Sequence, residues 1–241
     1  MDSLSIVIPA YNEASRLPPT LDAVCRYLAA RPWRFAEILV VDDGSTDGTG
    51  ALVAEAATRN PLIRPLRNPG NRGKGYSVRH GVLEARGDWV LFTDADLSTP
   101  IEEMEKLRQA VCGGRALIAI GSRAIDRTLI EVHQPGLRES AGHFFNLFMR
   151  LVTGLPFRDT QCGFKLFEAR AAREIFRRQV LNGFGFDVEA LYIARKLGYP
   201  IAEVPVRWSD VAGTKVSLAR GIDAFADLLR VRRNDWRGRY R

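Results

Sequence analysis

The stretch DWVLFTDADLSTP (88–100) decides the fold. Trp89 to Thr93 is a short apolar run, rich in aromatic and branched residues and without helical spacing, and it reads as a buried parallel strand. Two carboxylates, Asp94 and Asp96, follow at its end with one alanine between them. Open α/β sheets put their ligand crevice beyond the carboxyl ends of the strands. Paired carboxylates at that place suit a hard divalent cation that also takes phosphate oxygens. They would equally serve a plain turn, with Asp96 or Ser98 capping the helix after Pro100. The upstream sequence separates the two readings.

Upstream, the same scheme repeats. Leu4 to Pro9 is a short apolar strand, followed by Ala10-Tyr11-Asn12-Glu13 and a helix predicted over about 14–30, with Asn12 as its N-cap. A second buried strand, Ala36 to Val41, ends in DDGSTDGT (42–49). The strand-helix-strand crossover is expected to be right-handed, which puts both strand ends on one edge of the sheet. Asp47 fits a turn or cap, whereas Asp42 and Asp43 end an apolar strand on the edge that carries Asp94 and Asp96, where carboxylates can accept from a base or a ribose. A third strand near 62–66 leads into NPGNRGKGY (68–76), whose glycines allow close backbone approach and whose Arg72 and Lys74 could meet phosphate, although a surface turn accounts for them as well. Neither GxGxxG nor GxxxxGK[ST] is present, which argues against dehydrogenases and common NTPases.

Composition sets the outer bounds. At 241 residues, 46% hydrophobic and 26% charged, the chain fits one large α/β domain. A net charge of +7 calls for an anionic partner. Nucleic acid is disfavoured, because no binding motif is present and acidic turns cluster where a groove would need cations. Cys25, Cys112 and Cys162 lack paired metal-ligand spacing, so reduced thiols in a cytoplasmic protein are expected. No secretory leader and no apolar run long enough to span a bilayer are visible, so contact with lipid is expected to be peripheral, at the cytoplasmic face.

VIPAYNE (7–13), VVDDGSTDGT (40–49), NRGKG (71–75) and DAD (94–96), in that order, resemble the nucleotide-sugar half of the inverting family-2 glycosyltransferases. GSR (121–123), DTQCGFK (159–165), FGFDVE (184–189) and VPVRW (204–208) narrow the resemblance to transferases that use polyprenyl or dolichyl phosphate. NRGKGYSVRHG and FDVE look more like the glucosyl branch than the mannosyl branch, with mannosyl transfer from GDP-mannose and a soluble enzyme acting on a hydroxyl as alternatives. Eukaryotic members of that branch carry an N-terminal membrane anchor, whereas Met1-Asp2 here leads straight into a strand.

The resemblance implies a single-domain GT-A, Rossmann-like α/β fold with a mixed, mainly parallel sheet flanked by helices. Residues 1–100 would bind the nucleotide sugar, 101–217 the acceptor, and 218–241 would form a basic amphipathic C-terminal helix and tail. It implies that Pro9, Tyr11, Glu13, Asp42, Asp43 and Lys74 surround a UDP-hexose, and that Asp94 and Asp96 flank Mg²⁺ or Mn²⁺, with Asp96 the direct ligand and a catalytic residue. Arg123 and Arg138 would take the lipid phosphate, since a planar guanidinium can engage two oxygens. Gln161, Lys165 and Asp187 would lie near sugar and acceptor, Asp187 orienting one of them, and Lys215 would close over the diphosphate. A helix from Leu137 to Val152 offers a stripe including Phe144, Phe145, Phe148 and Leu151 that suits either core or membrane interface. The C-terminal arginines with Trp236 and Tyr240 suit an anionic bilayer surface or a solubilising tail.

Overall fold

The computed structural model describes residues 3–132, 146, 148–211 and 218–241. Alternation along the strands sets its layers. In β1 (Ser3–Ala10), Leu4, Ile6 and Ile8 join one buried cluster and Val7 the other. In β2 (Phe35–Asp42), Ile38 and Val40 go with the first and Leu39 and Val41 with the second. Helices α1 (Leu17–Ala29), α2 (Thr49–Arg59) and α4 (Met104–Val111) cover the first face. The other face is covered by α3 (Lys74–Glu84), the short α5 (148–153), α6 (Ala169–Arg178), α7 (Phe186–Lys196) and the end of α8 (Leu218–Trp236). Each fully buried Ile, Leu or Phe contributes about 1.5–3 kcal/mol, so both layers hold the sheet firmly.

With β3 (Ile63–Arg67), β4 (Trp89–Thr93), β5 (Ile118–Ser122), β7 (Phe164–Glu168) and β8 (Ile201–Pro205), the sheet runs β3-β2-β1-β4-β7-β5-β8. All neighbours are parallel except β7, which lies antiparallel between β4 and β5. A mixed, mainly parallel sheet was expected; that its antiparallel strand would lie inside the sheet, next to the central β4, was not. A second, two-stranded sheet pairs β6 (Ile130–Val132) with β9 (Trp208–Ser209).

Local chemistry explains two departures from the expected boundaries. Helix α1 starts at Leu17, with Arg16 at the N-cap, because prolines fill its first positions. Asn12 is therefore no cap. It adopts φ +54°, its side-chain oxygen accepts from Thr46 N at 2.8 Å, and its N–H donates to Ser45 Oγ at 2.9 Å. Tyr240, expected at a bilayer surface, is fully buried, and its hydroxyl donates to Glu189 Oε1 at 2.5 Å. Part of the helix expected over 137–152 lies outside the described residues; within it, Phe148 packs on Phe225 of α8 at 5.5 Å and Leu151 is exposed.

Candidate active site

The parallel strands deliver their ends to one edge, where a cleft of about 460 Å³ opens. Pro9, Tyr11, Glu13 and Arg16 line it from the end of β1 and the loop before α1, Asp43 from β2, and Asn71 and Lys74 from the glycine-rich loop. Asp94, Asp96 and Ser98 enter from β4, Arg123 from β5, and Gln161 and Gly163 from the approach to β7. Phe184 and Asp187 stand at the start of α7, with Trp208 and Asp210 around β9.

The glycine-rich loop is fastened from below. Asp43 accepts from Arg72 N at 2.9 Å, Gly73 N at 2.8 Å and Asn68 Nδ2 at 2.7 Å. Gly73 has φ +101° and presses on the Asn182 carbonyl, where any Cβ would collide. So anchored, the loop sends Lys74 across the cleft to Asp94 Oδ1, 2.7 Å away. Burial opposes the Lys74 charge, but Asp94, Asp187 and Asp96 outweigh it and raise its pKa above the ordinary lysine value.

Asp96 accepts from Ser98 N at 3.1 Å and Ser98 Oγ at 3.0 Å, and its Oδ2 lies 3.8 Å from Arg16 Nη1. Between them Leu97 takes φ +45°; it and Asn12 are the non-glycine residues at positive φ among those described, and both flank the cleft. Burial first, and the neighbouring Asp94 second, push the Asp96 carboxyl above its usual value. Two hard oxygen donors that repel each other in one cleft fit a divalent cation such as Mg²⁺ or Mn²⁺. Among the described residues no cluster of three or more His, Cys, Asp or Glu that could hold a metal ion is found.

Arg123 grips Asp159 as a fork, Nε to Oδ2 at 2.7 Å and Nη2 to Oδ1 at 3.0 Å, and its guanidinium lies 5.4 Å from the Trp208 ring. Burial would raise the Asp159 pKa, yet Arg123 holds it down at about 2. Behind the cleft, the fully buried Lys165 donates to the Cys162 carbonyl and to Asp187 Oδ1. Burial pushes the Asp187 carboxyl upward against Lys165 and Lys74, which pull it down.

The cleft thus brings together Pro9, Tyr11, Glu13, Asp43, Lys74, Asp94, Asp96, Arg123, Gln161 and Asp187. Asp42 and Lys165, both expected to touch substrate, are not among its lining residues. The Asp42 carboxylate turns to Ser45 N at 2.9 Å and lies 3.6 Å from Arg67 Nε, which makes it a brace of its own turn. Lys165 is held inside by Asp187. Arg138 and Lys215 lie outside the described residues. Sequence reasoning passed over Arg16 and Asp210, and it held Phe184 and Trp208 only as members of the FGFDVE and VPVRW motifs, without a role. Arg16 gave a signal of its own, an arginine three residues after Glu13, the spacing of a local ion pair.

The profile of glycosyl transferase family 2 matches residues 5–176. The chain belongs to that family. It is therefore a glycosyltransferase. A dolichyl-phosphate beta-glucosyltransferase of Trichomonas vaginalis is 37% identical over 235 residues, covering 94% of this chain and 70% of the relative. Its namesake in Homo sapiens is 35% identical over 261 residues, covering 97% and 77%. Among solved structures, mannosyl-3-phosphoglycerate synthase from Rubrobacter xylanophilus superposes with a TM-score of 0.70 at 21% identity, covering 98% of this chain and 75% of that one. Glucosyl-3-phosphoglycerate synthase from Mycobacterium tuberculosis, solved with Mn²⁺, UDP-glucose and phosphoglyceric acid, gives 0.69 at 19% identity over 95% and 79%. The fold they share with this family-2 member is GT-A. Among the described residues no helix is long and apolar enough to cross a membrane.

Proposed function

We propose that the protein transfers glucose from UDP-glucose to a polyprenyl or dolichyl phosphate at a membrane surface, with inversion at the anomeric carbon. The observation that carries the reading is the meeting of Lys74, Asp94, Asp96, Arg123 and Asp187 in one cleft. The names of the related proteins support the sugar and the acceptor. An acceptor phosphate oxygen bonds to the anomeric carbon while the bond from that carbon to the β-phosphate oxygen breaks, and UDP leaves with the electron pair. A phosphate is already an anion at neutral pH, so no strong base is required. Asp187, held by Lys165, orients the sugar or acceptor. Lys74 meets charge that develops on the departing diphosphate. Asp94 and Asp96 would hold Mg²⁺ or Mn²⁺, which supplies further neutralisation of that charge.

On the acceptor side, Arg123 already has its orientation fixed by Asp159, and with Arg138 it takes the lipid phosphate. Gln161 lines the same cleft. Lys215 supplies the loop cation over the diphosphate. The exposed face of α8, with Leu229 and Trp236 among Arg230, Arg233 and Arg237, suits an anionic bilayer. The test offers labelled UDP-glucose, UDP-galactose, UDP-N-acetylglucosamine and GDP-mannose, each with polyprenyl phosphate and Mn²⁺. Label entering the organic phase from UDP-glucose alone is the expected result. Label from GDP-mannose moves the assignment to mannosyl transfer, and product confined to water moves it to a hydroxyl acceptor.

A further inference from the structure

The loop from β1 to α1 holds a guanidinium whose hydrogen-bonding capacity is only partly used. Arg16 Nε donates to Glu13 Oε2 and Nη2 donates to Glu13 Oε1, both at 2.7 Å. This fork fixes the plane of the group and leaves Nη1 pointing away from Glu13. That nitrogen is buried and has no hydrogen-bond partner among the described residues. Its nearest anion, Asp96 Oδ2, is 3.8 Å away, too far for a hydrogen bond. Buried donors are nearly always satisfied, so an orphan in the lining of a cleft points to a ligand.

We propose that Arg16 is a ligand of the sugar nucleotide, its Nη1 donating to an oxygen of the diphosphate while Glu13 holds the guanidinium in place. The proposal rests on the nucleotide-sugar reading and adds a contact to it. Three features favour an anion of this kind. The group is a permanent cation, suited to phosphate oxygens in a way that a neutral donor is not. It stands 3.8 Å from Asp96 while Lys74 stands 2.7 Å from Asp94, so that each carboxylate of the pair has its own cation. It also comes from the same loop as Tyr11 and Glu13, directly after the end of β1, and lines the cleft with them. Glu13 changes its part accordingly, since both its carboxylate oxygens are engaged by Arg16.

Phosphate oxygens come from the donor or from the acceptor, and separate titrations distinguish them. Equilibrium binding of UDP, of uridine and of farnesyl phosphate is measured on the full chain and on Arg16→Met. UDP affinity should fall about 10- to 100-fold, the range for a charge-assisted hydrogen bond, with uridine and farnesyl phosphate unchanged. If Arg16→Met melts early, Arg16→Lys replaces it and should keep part of the UDP affinity, because the charge beside Asp96 remains. Equal losses for UDP and uridine, no loss at all, or a loss confined to farnesyl phosphate would each overturn the assignment. A wild-type chain that binds neither UDP nor GDP would instead remove the nucleotide-sugar reading.

Discussion

Replacing Lys165 with methionine tests how the cleft keeps a buried carboxylate in service. The Lys165 side chain is 2% exposed and that of Asp187 4%, so neither charge has water to fall back on. Breaking a buried pair by removing one partner costs about 3–5 kcal/mol. Two local terms set where in that range the variant falls. The Cys162 carbonyl also loses its donor, which adds to the cost, while the Lys74 charge acts on Asp187 and takes some of it back. About 3 kcal/mol is the expected loss, or roughly 6–12 °C in Tm for a chain of this size. The sign with pH follows from Asp187. Its pKa is already raised by burial and rises further without Lys165, so the protonated folded form is favoured; the stability of the variant is fully present at low pH and lost as pH rises through that pKa. Urea unfolding of wild type and Lys165→Met at several pH values should show the gap narrowing towards acid. The double replacement of Lys165 and Asp187 by methionine should recover part of the loss, because no unpaired charge stays inside. A single variant as stable as wild type at neutral pH, or a double variant no better than the single one, would refute the reasoning.

Asp96→Asn should lower turnover by about 10²–10³-fold, with Tm within a few degrees of wild type, since its hydrogen bonds are to the local Ser98 and its ion pair with Arg16 is a loose one at 3.8 Å; near-normal turnover would remove Asp96 from the chemistry. Asp159→Asn should cost roughly 2 kcal/mol at neutral pH, the shift from 3.8 to about 2 converted to free energy. Because that pKa is depressed, the difference persists above pH 3.8 and disappears as pH falls towards 2, which acid unfolding curves would reveal. Gly163→Ala places a Cβ against the Asp94 carboxylate and should abolish turnover while circular dichroism stays native, and unchanged kinetics would mean that Asp94 can move aside freely.

The first half of the chain was legible because each apolar run ends abruptly in polar residues. Trp89–Thr93 was bounded to the residue, and the ends of β1 and β2 were placed on the right edge. The second half was harder for a physical reason. The FKLFE segment (164–168) is buried at Lys165 as well as at its apolar positions, so the lysine looked like a group available to substrate. Its partner, Asp187, is 22 residues away on α7, beyond any local pattern. Arg123 was picked out by its motif, but nothing before the fold told that Asp159 would hold it. Asp42 and Asp43 are adjacent and chemically alike, and only the twist of the chain at the strand end sends one towards Ser45 and the other towards the loop that carries Lys74.

The antiparallel β7, inserted between β4 and β5, has a consequence for biosynthesis. Strand β4 leaves the ribosome with β1 for a neighbour, but its other edge waits for residues 164–168. At about 5–20 residues per second the intervening segment takes roughly 4–14 s to be made. Throughout that interval the nascent chain presents an unpaired backbone on an apolar strand, a template for pairing with other chains. A fragment stopped at residue 100 would keep that edge open permanently, so the nucleotide-binding portion is expected to aggregate when expressed alone and to stay dispersed only once the later strand closes it.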